Sequence, residues 1–144
     1  MSQVLLLTAD KALPLCNEQS ERTKTFAVSG DTFSVTTLCG FKVTAHGYYR
    51  SAVEELGHDM KPYRYELELE QCEEDLAHLL SYLRENFARG EEAELWNLWV
   101  GDDASKPMRF HGELSDFDMD TLAQFLHSSP KRGSTGECCM TITI

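Results

Sequence analysis

The side chains with the strongest claim to chemistry are His111 and the charged groups around it. Arg109, His111 and Glu113 alternate along one predicted strand, so all three point to the same side. Histidine titrates near neutral pH and can act as a general acid or base when a carboxylate lies within reach. Glu66 and Glu68 alternate in the same way on another predicted strand, and Trp99 lies on a third. Glu66, Glu68, Trp99, Arg109, His111 and Glu113 therefore form a candidate ligand or partner face. The plainer reading of the same residues is a solvated sheet face with cross-strand charge pairs.

Asp116, Asp118 and Asp120 form a second candidate, because a DxDxD string can ligate a hard cation. An EF-hand loop would also need a Gly and a Glu downstream in register, and Asp120-Thr121-Leu122 does not provide them. Capping and dipole compensation at a helix start is the simpler role for these carboxylates. Asp102-Asp103, in a predicted turn, is weaker still. The five cysteines are Cys16, Cys39, Cys72, Cys138 and Cys139, odd in number and without a CxxC pair. They read as reduced thiols and not as a disulfide framework. Cys138 and Cys139 should point to opposite faces of a strand, so one site can use only one of them. Cys72 opens a helix, which can lower a thiol pKa, but Glu73, Glu74 and Asp75 oppose that. No GxSxG, P-loop, GxGxxG after a strand, HExxH or RNA-binding aromatic signature occurs. No catalytic residue, metal ligand set or cofactor is assigned from the sequence.

These candidates depend on the elements that carry them. Tyr63, Tyr65, Leu67 and Leu69 alternate with Arg64, Glu66, Glu68 and Glu70, as in a half-buried strand. Leu76, Leu79, Leu80, Leu83 and Phe87 follow at helical spacing, with acids in the first turn, arginines later and Gly90 as a C-cap. Glu94 to Val100 reads as a strand with Trp96, Leu98 and Val100 on one face and Leu95, Asn97 and Trp99 on the other, outer one. A turn over 101–107, a strand from Met108 to Leu114 and a helix capped by Ser115 and Asp118 come next. A connector over 131–136 leads to a last strand, Glu137 to Ile144, which could be a free edge.

Residues 61–144 thus read β-α-β-β-α-β, which points to an α+β, ferredoxin-like domain with sheet order 4-1-3-2. That order would bring His111 beside Glu66 and Glu68. Residues 1–60 read as a β-rich segment, packed on that sheet or extending it and not independent. Val4 to Leu7 is a short apolar run suited to a buried strand, and Cys16 to Lys24 reads as an exposed loop. Thr25–Val28 and Thr32–Leu38 form a hairpin about Ser29-Gly30-Asp31, with Phe33, Val35 and Thr37 on one face. Tyr48 to Leu56 is a short helix or a loop.

The chain has 144 residues and a net charge of −11, which argues against nucleic-acid and anionic-membrane partners. Residues 1–60 hold 5 basic and 7 acidic side chains, and residues 61–144 hold 8 and 17, so the acidity belongs to the second part. The start has no basic region before its short apolar run and does not read as a signal peptide. A cytoplasmic protein is the expectation.

Leu5-Leu6-Leu7-Thr8-Ala9-Asp10-Lys11-Ala12-Leu13-Pro14, Lys61-Pro62-Tyr63-Arg64-Tyr65-Glu66 and Glu91-Glu92-Ala93-Glu94-Leu95-Trp96-Asn97-Leu98-Trp99 resemble stretches of small bacterial proteins with no assigned activity. The resemblance implies a bacterial cytoplasmic protein and carries no functional residues over. The leading expectation is a small acidic interaction or ligand-binding module, with a homodimer or another protein as partner. One alternative is a hydrolase or transferase using His111 with Glu66, Glu68 or Glu113. The other is a divalent-cation site on Asp116, Asp118 and Asp120.

Overall fold

The computed structural model describes residues 2–100, 106–127 and 136–144. In chain order the elements are β1 (Ser2–Ala9), β2 (Cys16–Asn17), β3 (Ser20–Val28), β4 (Asp31–Cys39), β5 (Lys42–Ala45), α1 (Arg50–Leu56), β6 (Tyr63–Glu68), α2 (Glu73–Asn86), β7 (Glu92–Val100), β8 (Met108–Glu113), α3 (Met119–Leu126) and β9 (Cys138–Thr143). The expected turn at 101–107 and connector at 131–136 lie mostly outside the described residues.

The chain is mixed α+β. Seven strands form one sheet in the order β2-β5-β6-β1-β7-β9-β8, while β3 pairs with β4 as a separate ribbon. Pairings in the large sheet are antiparallel except that of β8 with β9. This order differs from the ferredoxin-like 4-1-3-2. Two placements make the difference: β1 lies between β6 and β7 and pairs with both, and β9 lies between β7 and β8, which leaves β8 at the edge. In β1, Val4 and Leu6 point to one core and Leu7 and Ala9 to the other. A strand apolar on both sides belongs in the middle of a sheet covered on both faces. β9 is interior for the same reason, with Cys138 to Ile142 buried, so the last strand is not the free edge it was expected to be.

Helices α2 and α3 cover one face, where Leu79, Leu83, Leu122 and Phe125 meet Leu7, Leu67, Leu95 and Met140. The short helix α1 covers the other, with Val53 against Val4, Leu6, Trp96 and Leu98. Trp96, Leu98 and Val100 therefore pack under α1, and Leu95 sits in the α2/α3 core, the reverse of the outer placement expected for Leu95. Strand β7 is buried on both sides, so its alternation does not say which face is inner. Helix boundaries shift slightly. Asp118 caps α3, accepting from the Thr121 backbone N–H at 2.9 Å, whereas Ser115 lies in a preceding 3-10 turn. Helix α2 ends at extended Phe87, before Gly90.

Strand β3 begins at Ser20, inside the expected loop, and prolongs β2 just as β4 prolongs into β5. Residues 16–45 are thus one long hairpin, interrupted at 18–19 and 40–41 near its inner end. Its inner end lies in the sheet and its outer end, residues 20–39, stands in solvent as an arm. The arm turns tightly at Ser29 (φ 53°) and Gly30 (φ 85°), two positive-φ positions as a type I′ hairpin requires.

Candidate functional site

The six residues of the candidate face do not come together. Strands β6 and β8 are separated by β1, β7 and β9. At about 4.8 Å per strand, Glu66 and Glu68 lie roughly 19 Å from the β8 side chains. Glu66 faces the nearly buried ring of His46, its Oε1 3.5 Å from Nδ1. Glu68 accepts from Gln19 Nε2 at 2.7 Å. Trp99 follows Leu95 and Asn97 on the α3 side, opposite to the other five, while Asn97 Nδ2 donates to the Phe125 carbonyl at 2.7 Å. His111 and Glu113 are exposed on the edge strand β8 and flank a groove of about 290 Å³ beside α3. The expected juxtaposition of His111 with Glu66 and Glu68 is absent because β1 inserts into the sheet and β9 takes the place beside β7.

Arg109 has a different setting. Its guanidinium lies over the Trp96 ring, 5.1 Å from the centroid, and donates to the Asp59 carbonyl at 3.1 Å. His58 stacks on Trp96 at 5.7 Å, and its Nε2 is 3.3 Å from Glu137 Oε2. Beside them the buried carboxylate of Glu94 accepts from Thr8 Oγ1 and from the Lys61 backbone N–H, both at 2.8 Å. Cys139 Sγ lies 4.0 Å from the same carboxylate. Burial, and then the charge of Glu94, push the Cys139 thiol up to about 12. A thiol held neutral at physiological pH is a poor nucleophile. This cluster pins the loop after α1 over the sheet, and its polar atoms serve one another.

The aspartate string is divided among structural tasks. Asp118 receives both the N–H and the hydroxyl of Thr121 at 2.9 Å, and these bonds hold its carboxyl below the usual carboxylate range. Asp116 lies in the 3-10 turn and Asp120 in the first turn of α3. Among the described residues, no three His, Cys, Asp or Glu side chains gather as a metal set.

The least explained surface is the arm. Its register pairs Val28 with Asp31, Phe26 with Phe33, Lys24 with Val35 and Arg22 with Thr37, which places these residues on one face. Glu21, Thr23, Thr25, Ala27, Thr32, Ser34, Thr36 and the exposed Leu38 form the other face, with hydroxyl contacts at 2.8 Å (Thr23–Thr36) and 3.2 Å (Thr25–Ser34). The first face is apolar and open. Phe26, Val28, Phe33 and Val35 retain 48, 52, 47 and 47% of their exposure, and the two rings stack at 5.9 Å.

The base of the arm is fixed. Arg22 Nη2 donates to Asp75 Oδ1 at 2.6 Å, and Nη1 donates to Glu70 at 3.2 Å and lies 3.2 Å from Cys72 Sγ. Asp75 is fully buried in the first turn of α2, and its other oxygen accepts from the Glu70 N–H at 2.6 Å. The bond to Asp75 raises the Arg22 pKa further above its ordinary value, so the guanidinium stays charged. At the bend, Gly40 has φ 141°, and a Cβ there would meet the Glu18 carbonyl oxygen at 3.0 Å and the Gln19 Cα at 3.1 Å. The sequence signal for the arm is the alternation of Lys24, Phe26 and Val28 against Thr23, Thr25 and Ala27, repeated across the turn.

No protein-family model matches the chain, and neither a curated protein nor a solved structure matches it. Among the described residues, no helix is long and apolar enough to cross a membrane.

Proposed function

We propose that this chain is an interaction module whose docking element is the β3–β4 arm. The observation that carries the reading is the open apolar face of Phe26, Val28, Phe33 and Val35 on a ribbon outside the main sheet. A two-stranded ribbon is marginal in water by itself. An exposed apolar patch of a few hundred Å² is often a functional surface. The clamp of Arg22 on Asp75 and the constrained bend at Gly40 present the face in a set direction, which lowers the ordering cost of binding. The reading is non-catalytic, and the groups with chemical potential support it. The Cys139 thiol is held neutral, and His111 stands exposed on an edge strand with Glu113, separated by three strands from Glu66 and Glu68.

The test places a photo-activated cross-linking side chain at position 33 in the intact protein. It is exposed to light both as concentrated purified protein and in native extract. Covalent adducts should form in at least one setting and disappear when Phe26→Ser is added. An arm that forms no adduct with any macromolecule, itself included, would overturn the reading.

A further inference from the structure

We infer that the occupant of the arm's apolar face is a second copy of this chain, laid face to face about a twofold axis through the Phe26–Phe33 pair. The inference rests on the reading of the arm as a docking element. Two observations select this occupant, and a third sets how firmly it is held.

The first is charge. Residues 20–39 carry Glu21 and Asp31 against Arg22 and Lys24, so the arm is neutral and the chain's net charge of −11 lies wholly outside it. Two copies that approach through their bodies meet like charge. Two copies that approach through projecting arms keep those bodies apart. A basic partner would gain more from the acidic body than from a neutral apolar ribbon.

The second is self-complementarity, which a twofold contact demands because the same patch serves both partners. On the apolar face Asp31 lies one rung outward from the Phe26–Phe33 pair, and Lys24 lies one rung inward. An antiparallel second arm centred on the rings stacks phenylalanines on phenylalanines. It also brings each Asp31 over the Lys24–Val35 rung of the other copy. One acid and one base, set symmetrically about an aromatic centre, satisfy each other twice.

The third is area. Nine-residue strands rising about 3.3 Å per residue, spaced about 4.8 Å, give a face of roughly 300 Å² per copy. A standard stable interface buries about 800 Å² per partner. The arm contact is smaller than that, so it is a reversible association that depends on protein concentration.

Sedimentation equilibrium of the full chain, from about 1 to about 300 μM, should show a monomer–dimer equilibrium centred in that range. Phe26→Ser with Phe33→Ser should weaken the dimer more than tenfold while leaving the far-ultraviolet spectrum unchanged. The charge variants test the twofold. Asp31→Lys alone and Lys24→Asp alone each create two like-charge contacts and should weaken the dimer several-fold. An equimolar mixture of the two variants restores both ion pairs and should dimerise as the wild type does. A wild type monomeric to about 300 μM overturns the inference. So does a dimer indifferent to the phenylalanine substitutions, or a mixture no tighter than its components. If the wild type is monomeric yet position 33 still cross-links to another protein in extract, the second-copy inference falls and the arm remains a docking element.

Discussion

Gly40→Ala perturbs the point where the arm leaves the sheet. The residue sits at φ 141°, and a new Cβ would stand 3.0 Å from the Glu18 carbonyl oxygen and 3.1 Å from the Gln19 Cα. Both neighbours are backbone, and the Glu18 N–H is itself bonded to the Phe41 carbonyl at 2.9 Å, so neither can swing away as a side-chain tip could. A non-glycine residue in such a conformation costs about 1–3 kcal/mol. Forcing atoms into filled space adds about 1–3 kcal/mol. Together the expected loss is about 2–6 kcal/mol, and at roughly 2–4 °C per kcal/mol the melting temperature should fall by about 4–24 °C. Gly30→Ala is the control. Its φ of 85° also disfavours alanine, but nothing lies within 4 Å, so it should cost only about 1–2 kcal/mol. Calorimetric melting of both variants, with hydrogen exchange across 20–39, separates the two effects. The reasoning is refuted if Gly40→Ala melts no lower than Gly30→Ala and keeps wild-type exchange in the arm.

The remaining predictions concern the supports of the arm and of the sheet. Asp75→Ala should lower the melting temperature more than Glu74→Ala does and speed exchange at 20–24 and 70–76, since Asp75 alone is fully buried and holds both Arg22 and the Glu70 N–H. At neutral pH a thiol reagent should label no more than three of the five cysteines before unfolding, because Cys138 and Cys139 are buried; rapid native labelling of all five would contradict the packing of β9. The Cys139 thiol is raised to about 12 in the folded chain, above its unfolded value of about 8.5, so its contribution is complete below that value and is lost as pH rises toward 12. Denaturant titrations from neutral to alkaline pH should therefore show a falling stability that is less steep in Cys139→Ala. Arg109→Ala should cost about 1 kcal/mol through loss of its contact with the Trp96 ring, read as a fall of a few degrees in melting temperature.

Local elements were legible in the sequence where one side of each was wet. The alternation of Tyr63, Tyr65 and Leu67 against Glu66 and Glu68 marked β6, and the stripe of Leu76, Leu79, Leu80 and Leu83 marked α2. Strand order was not legible. The run Val4 to Leu7 announced a buried strand, but nothing local said that it would take the place between β6 and β7 expected for β8. Strand β7 is apolar on both sides because α1 covers what would have been an outer face, so Leu95 and Trp96 could not be sorted by pattern. The candidate face dissolved with the strand order, since Glu66 and His111 were to be neighbours only in another topology. The arm was half legible. Phe33, Val35 and Thr37 showed a shared face, but an apolar face in a sequence reads as core until the structure shows it exposed.

Hydroxyl-radical oxidation of Phe26 and Phe33 tests most directly whether that face is a docking surface. The rates should be compared in dilute purified protein and in concentrated native solution, with Tyr48, 89% exposed and remote from the arm in sequence, as an internal reference. Both phenylalanines should become several-fold slower to oxidise in the concentrated solution while Tyr48 is unchanged. Equal oxidation of Phe26 and Phe33 in the two conditions would contradict the docking role.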